Sequence, residues 1–317
     1  MNSTAILNDI KKISLIVPFF NEQLNVNYFL GKVKEVLFSL KERYVFEIIT
    51  INDGSRDNTL DELLKYKSIH PEIKIIDFSR NFGKEAAITA GIDFAEGDAV
   101  IPIDSDLQHP PETILKMIEQ WELGFEVVLA KRVDRLTDHG AQKLSAKAFY
   151  EVSKAISQID IPADVGDFRL MDRQVVNALK QMQEKCRFMK GIFAWVGFKT
   201  TIVEYKVETR KYGKSSFNLW KLWNFALDGI TSFSTIPLRV WTYIGSAISL
   251  LALIYSIYLV IKTFILGIDM PGYASLMVAI LFLSGVQLIG IGVLGEYIGR
   301  IFIEVKNRPI YIIKNLY

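Results

Sequence analysis

The sequence predicts an α/β fold: a mostly parallel sheet covered by helices, then interfacial helices and two transmembrane helices. Three observations carry this expectation. Up to about residue 238, short apolar runs alternate with stretches whose apolar residues recur at helical spacing. Turn-forming residues and acids stand at the ends of the apolar runs. Beyond that point come two charge-free stretches, each long enough to cross a bilayer core.

The elements follow in order. Residues 13–19 form a continuous apolar run, which predicts a strand buried on both faces. Leu24, Phe29, Leu30, Val33, Val36, Leu37 and Leu40 are helically spaced and predict a helix over 23–40. A second strand over 46–51 stops at Asn52-Asp53-Gly54-Ser55, and a helix over 57–66 follows. Strand 74–78, helix 83–94 and strand 98–103 come next. Pro110-Pro111-Glu112 starts a helix reaching about Trp121, because proline suits a first helical turn. Strand 127–130 completes the alternation, which implies parallel strands with helices on both faces. In such sheets ligands bind beyond the carboxyl ends of the strands.

Residues 1–215 are expected to form a cytoplasmic domain, 216–237 amphipathic helices lying in the membrane interface, and 238–317 two spans and a short tail. The spans are placed at about 240–263 and 272–296. Lys211, Lys214, Lys221 and Arg239 precede the first span, and Arg300, Lys306, Arg308 and Lys314 follow the second. The excess of basic residues at both ends puts the large domain and the tail in the cytoplasm, at the inner face of the plasma membrane. A net charge of +2 with no basic, aromatic-interleaved arm argues against a nucleic-acid partner. The single cysteine, Cys186, excludes an intrachain disulfide and a cysteine-based metal site.

Chemistry is expected where strand 98–103 delivers Asp104-Ser105-Asp106 and then Gln108. Two carboxylates so close repel unless a cation or proton intervenes, and oxygen-only ligands favour a hard ion such as Mg²⁺ or Mn²⁺. An Asp-x-Asp alone is weak evidence, because acids at strand ends are common turn formers; its neighbours strengthen it. Asn21-Glu22 and Asp53-Gly54-Ser55-Arg56-Asp57 bring acids to the same sheet edge. Arg80-Asn81-Phe82-Gly83-Lys84 brings two cations suited to a diphosphate. His109 reads most simply as a turn residue, with a supporting group of the site or a ligand as the alternatives.

These motifs are similar, in order and spacing, to the nucleotide-sugar motifs of family 2 glycosyltransferases. Val17-Pro18-Phe19-Phe20-Asn21-Glu22, Ile51-Asn52-Asp53-Gly54-Ser55-Arg56-Asp57, Arg80-Asn81-Phe82-Gly83-Lys84 and Asp104-Ser105-Asp106-Leu107-Gln108-His109-Pro110-Pro111-Glu112 carry the resemblance. With the two spans, it extends to the polyprenyl-phosphate branch, which includes dolichol-phosphate mannose synthases and GtrB-like bactoprenol glucosyltransferases.

The resemblance implies a glycosyltransferase A-type fold and inverting transfer of one sugar, glucose from UDP-glucose, to undecaprenyl phosphate. It implies that Pro18, Glu22, Asp53, Lys84, Asp104 and Ser105 bind the nucleotide sugar. Asp104, Asp106 and Gln108 would hold Mg²⁺ or Mn²⁺, with Asp104, Asp106 and Asp167 as the catalytic carboxylates. Gly166-Asp167-Phe168-Arg169-Leu170-Met171 resembles the acceptor-side motif. Arg132, Lys143 and Arg169, with Arg210, Lys211 and Lys214 of a basic loop, would meet the phosphates. A membrane-bound homotetramer is also implied. Two other readings stay open: a different donor (GDP-mannose, UDP-N-acetylglucosamine or a UDP-aminoarabinose derivative), and a non-catalytic membrane scaffold that binds nucleotide sugars.

Overall fold

Parallel strands buried on both faces require two cores, and the chain supplies both. The computed structural model describes residues 10–133, 165–206, 231, 234–266 and 272–317. In order, the elements are β1 (Lys11–Phe19), α1 (Val26–Phe38), β2 (Tyr44–Asn52), α2 (Thr59–Ile69), β3 (Ile73–Phe78), α3 (Lys84–Phe94), β4 (Ala99–Pro102), α4 (Thr113–Glu122) and β5 (Val127–Arg132). Then come β6 (Val165–Asp172), α5 (Arg173–Gln181), α6 (Met189–Trp195), β7 (Thr200–Tyr205), α7 (Ile236–Leu266), α8 (Tyr273–Lys306) and β8 (Ile313–Leu316).

Ile13, Leu15, Val17 and Phe19 of β1 enter one core with α1, α2 and α4, while Ile16 enters the other with α3, α5 and α6. Each such side chain stabilises the fold by about 1.5–3 kcal/mol when fully buried. Gly91 lets α3 approach β1 closely, since a Cβ there would lie 2.2 Å from Ile16 Cγ2. That approach fixes the helix whose first residue is Lys84.

The strand order is β7-β5-β6-β4-β1-β2-β3-β8. The chain moves outward from β1 through β2 to β3, then crosses to β4 on the other side of β1. The crevice at the carboxyl ends of β1 and β4 is therefore the topological switch point, where open α/β sheets bind ligands. The sheet is mostly parallel, as predicted, with two antiparallel insertions: β6 between β4 and β5, and β8 at the edge of β3. The five expected strands and four expected helices are present. The first helix starts later than 23 because Asn21 and Gln23 are held in loop hydrogen bonds to Ser55, Arg56, Asp57 and Asn58.

Opposite the site, a buried carboxylate ties the amino ends of the strands together. Glu47 accepts from Ser14 Oγ and, at 2.7 Å, from the Glu96 N–H. It also pairs with Lys12 at 3.1 Å and Lys74 at 3.0 Å. Burial opposes its ionisation, but these partners outweigh burial and hold its pKa down to about 2. A folded-state pKa below the unfolded value contributes stability above about pH 4.5 that is lost as pH falls toward about 2. The melting temperature of the native protein is expected to drop across that window, and Glu47→Gln should flatten the drop. Parallel pH profiles for the two proteins would refute the assignment.

α7 and α8 are each long and apolar enough to cross a membrane, and both expose their apolar side chains, including Leu251, Tyr258, Phe282 and Ile289. Both exceed the predicted spans; α7 starts at Ile236 and α8 runs to Lys306. The expected interfacial segment lies outside the described residues apart from Thr231 and the stretch from Ser234. After α8 the tail returns to the domain. β8 pairs with β3, Tyr311 stacks on Phe78 at 5.2 Å between centroids, and its hydroxyl donates to Asp93 at 2.8 Å. The carboxyl end of the helical hairpin thus meets the domain again.

Candidate functional site

The first two strand ends are knitted into one platform. Asn21 takes φ of 55° after β1, and its N–H donates to Ser55 Oγ at 3.0 Å while its Oδ1 accepts from the Arg56 N–H at 2.8 Å. Glu22 N–H donates to Thr59 Oγ1 at 2.9 Å, and the Glu22 carboxylate accepts from Asn25 Nδ2. Pro18 lies beside Ile51 in the β1–β2 register and is half-buried. Gly54 has φ of +60°, and a Cβ there would lie 2.2 Å from the Arg80 carbonyl carbon. Only glycine allows the loops after β2 and β3 to touch in this way.

Asp53 serves that same contact. Its buried carboxylate accepts from the N–H groups of Phe82 at 2.7 Å and Gly83 at 3.0 Å, and from Asn81 Nδ2 at 2.9 Å. Burial pushes its pKa up, against the pull of the two backbone donors. Its visible work is to hold the Arg80–Gly83 loop and so to set the start of α3.

Lys84, at that start, is the centre of the site. Its Nζ lies 2.6 Å from Asp104 Oδ1 and 2.8 Å from Asp167 Oδ2. One ammonium thus joins the acid after β4 to the acid on β6, three segments distant in sequence. The Lys84 side chain keeps 43% exposure, whereas Asp167 keeps 14%. Burial lowers the Lys84 pKa, but the two carboxylates outweigh it and raise the pKa overall. For Asp167, burial works upward, and Lys84, Lys190 and Arg169 hold it well below the usual carboxylate range. Asp167 Oδ1 is buried without a hydrogen-bond partner among the described residues.

The Asp104–Gln108 turn begins at this ion pair. Ser105 is buried, Leu107 takes φ of 60°, and the Gln108 N–H donates to Asp106 Oδ1 at 3.1 Å. His109 is packed inward: its ring stacks on Phe168 at 5.0 Å and meets the edge of Tyr205 at 5.6 Å. Its Nδ1 lies 3.8 Å from Asp104 Oδ2 and has no hydrogen-bond partner among the described residues. Burial lowers its pKa, with Asp104 opposing. His109 is therefore part of the site's wall and not only a turn residue.

Among the described residues no three His, Cys, Asp or Glu side chains are grouped to hold a metal. The oxygen set of Asp104, Asp106 and Gln108 still fits a hard cation that takes one or two carboxylates and completes its shell with substrate phosphate. In this arrangement Lys84 meets both Asp104 oxygens, leaving Asp106 and Gln108 as the ligands that would anchor the ion first.

Arg169 is buried on β6, donates to the Gly166 carbonyl at 2.7 Å, and lies 4.1 Å from the Phe193 ring centroid. Burial lowers its pKa to about 10, against Asp167 and Glu85. Arg132 ends β5 and is half-buried. Lys143, Arg210, Lys211 and Lys214 lie outside the described residues. Sequence reasoning passed over Glu85. Burial and the nearby Asp167 push its pKa up to about 7, and it accepts from the Met189 N–H at 3.2 Å. An acid in a first helical turn reads as a partner of the helix dipole, which hid this role.

Comparison with known proteins bears on the whole chain. Residues 14–180 match the family description "Glycosyl transferase family 2", and residues 236–301 match "GtrB C-terminal hairpin". The chain is 53% identical over 306 residues to an uncharacterized glycosyltransferase of Synechocystis sp., covering 96% of each chain. It is 54% identical over 303 residues to an SfII prophage-derived bactoprenol glucosyl transferase of Shigella flexneri, covering 96% of this chain and 97% of that one. A prophage bactoprenol glucosyl transferase homolog of Escherichia coli is 52% identical over 305 residues, covering 96% of this chain and 99% of the homolog.

Proposed function

Because the chain belongs to family 2 of the glycosyl transferases, we propose that it transfers glucose from UDP-glucose to undecaprenyl phosphate at a membrane surface. The observation that carries this reading is the Lys84 bridge between Asp104 and Asp167, which joins a donor-side carboxylate to the acceptor-side motif. The relatives named bactoprenol glucosyl transferases, matched over nearly their full length, support the sugar and the lipid. The helical hairpin supports a lipid acceptor in place of a soluble one. We assign residues 1–215 to the catalytic domain, 216–237 to an interfacial segment and 238–317 to the spans and tail, on the cytoplasmic face of the inner membrane and in a homotetramer.

In this reading the acceptor phosphate oxygen attacks the anomeric carbon from the face opposite the diphosphate. The anomeric carbon–oxygen bond breaks, UDP departs with its electron pair, and the configuration inverts. A phosphate monoester has a second pKa near about 6, so the acceptor is largely dianionic at neutral pH and no strong base is required. Asp167 suits that chemistry: a carboxylate held far below its usual range and paired with Lys84 orients well and accepts protons poorly. Arg169, braced against Phe193 and the Gly166 carbonyl, supplies positive charge beside it. A Mg²⁺ or Mn²⁺ ion held by Asp106 and Gln108, with Asp104, would neutralise charge growing on the diphosphate. Pro18, Glu22, Asp53 and Ser105 would shape the nucleotide-sugar side, and Lys84 and Arg132 would face the phosphates, together with Lys143, Arg210, Lys211 and Lys214.

The deciding experiment is a donor screen with the purified full-length protein, undecaprenyl phosphate and Mg²⁺ or Mn²⁺. UDP-glucose is expected to be consumed in preference to GDP-mannose and UDP-N-acetylglucosamine, with one sugar added per lipid. Preference for another donor would overturn the glucose assignment. Binding without turnover for every donor would favour the scaffold reading.

A further inference from the structure

We infer that Glu304 is a positioning residue for the acceptor side of the site, clasping the end of α8 to the loop that leads into α6. The inference rests on the lipid-phosphate acceptor proposed above. α8 has 34 residues, about 51 Å at a rise of about 1.5 Å each. A bilayer core is about 30 Å thick, so the last turns of α8 must project beyond it. The sequence marks where this happens: charges return at Glu296, Arg300, Glu304 and Lys306.

On that projecting end, Glu304 Oε1 accepts from two backbone donors, the N–H groups of Lys185 at 2.8 Å and Cys186 at 3.0 Å. Bonds from N–H to a carboxylate are roughly twice as strong as neutral ones. Arg187 closes the same loop by donating to the Met182 carbonyl at 2.7 Å. The loop leaves through Phe188, which is buried, into α6. There the Met189 N–H donates to Glu85 at 3.2 Å, next to Lys84 in sequence, and Met189 Sδ accepts from Thr89 Oγ1 at 3.9 Å. One turn on, Phe193 faces the Arg169 guanidinium. Glu304 therefore holds the loop, the loop holds α6, and α6 holds the neighbours of Lys84 and Asp167.

The tail fastens the hairpin a second time, through β8 on β3, at the far edge of the sheet. The two attachments differ in what they touch. β8 grips the sheet edge, whereas Glu304 grips the segment that carries the acceptor-side groups. A membrane-projected helix end that orders these groups would register them to the depth at which a lipid phosphate lies.

The test uses the full-length protein in lipid nanodiscs with UDP-glucose and undecaprenyl phosphate, each varied in turn. Glu304→Ala is expected to raise the acceptor KM by about tenfold, the scale of one lost charge-assisted hydrogen-bond set, with the donor KM and the limiting kcat within about twofold. Glu304→Gln keeps a carbonyl oxygen for the two N–H groups and should recover most of the loss. An unchanged acceptor KM, or equal losses toward both substrates, would overturn the role. Amide hydrogen exchange without substrate gives a second readout. Residues 183–193 should exchange faster in Glu304→Ala while the β1–β2 core stays protected. Unchanged exchange there, or loss of protection throughout, would overturn the clasp even if the native protein proved not to use polyprenyl phosphate. That last outcome would by itself refute only the proposed acceptor.

Discussion

Lys84→Met is expected to lower sugar transfer by about a thousandfold, the scale of losing a preorganised charge at the reacting phosphates. The ammonium that joins Asp104 to Asp167 disappears, leaving two carboxylates beside each other with Asp167 buried. Removing one partner of a buried pair costs about 3–5 kcal/mol, and the partial exposure of Lys84 moves the expectation to the lower end. The deficit has a pH signature. In the native protein Asp167 is held below its usual range, so its contribution is present above that range and lost on acidification. Without Lys84 the main force lowering its pKa is gone, so the stability gap between variant and native should narrow as pH falls. Thermal denaturation of both proteins across that range checks the sign; a gap that widens on acidification would show that Lys84 does not carry the ionised form. Lys84→Arg restores the charge but not the compact ammonium that fits between two carboxylates, and should recover only part of the activity.

Asp106→Asn is expected to reduce turnover to a similar depth, about a hundred- to a thousandfold, with weakened dependence on added Mg²⁺ or Mn²⁺. Asp106 lies on the turn at the switch point, and its Oδ1 is already set by the Gln108 N–H. Asp167→Asn gives the comparison. An orienting carboxylate should cost less than the carboxylate proposed to hold the metal, and the pH–rate profile near pH 8 should keep its shape. Single-turnover assays of the two variants at that pH decide the matter: a collapse of Asp167→Asn as deep as that of Asp106→Asn would refute the orienting role.

How legible was this site in the sequence? The strands were, because a run such as Ile13 to Phe19 has few other ways to bury every side chain. The strand-end acids were too, since turn chemistry at one sheet edge can be read from spacing. The partnerships were not. Nothing in the spacing of Lys84, Asp104 and Asp167 says that they meet, because β6 enters antiparallel between β4 and β5 and brings Asp167 across. β6 itself was concealed by its composition: Asp167 and Arg169 interrupt the apolar pattern that marks a strand. Asp53 was expected on a nucleotide, and its visible partners are the Phe82 and Gly83 N–H groups and the Asn81 side chain of the neighbouring loop. For His109 the sequence left a turn residue and a group of the site both open, and its stacking on Phe168 shows it as a wall of the site. β8 was too short to announce itself, four residues that acquire meaning only beside β3.

The position of β8 also sets an order on synthesis. The strand that covers β3 lies downstream of both hairpin helices, so a ribosome must finish α7 and α8 before that edge can close. Until then β3 presents unpaired backbone groups and the Phe78 face that Tyr311 later stacks upon. An open edge of this kind is a template for intermolecular pairing. The nascent domain therefore completes its sheet only after both hairpin helices have been synthesised, and chains stalled before that point should be the ones that aggregate.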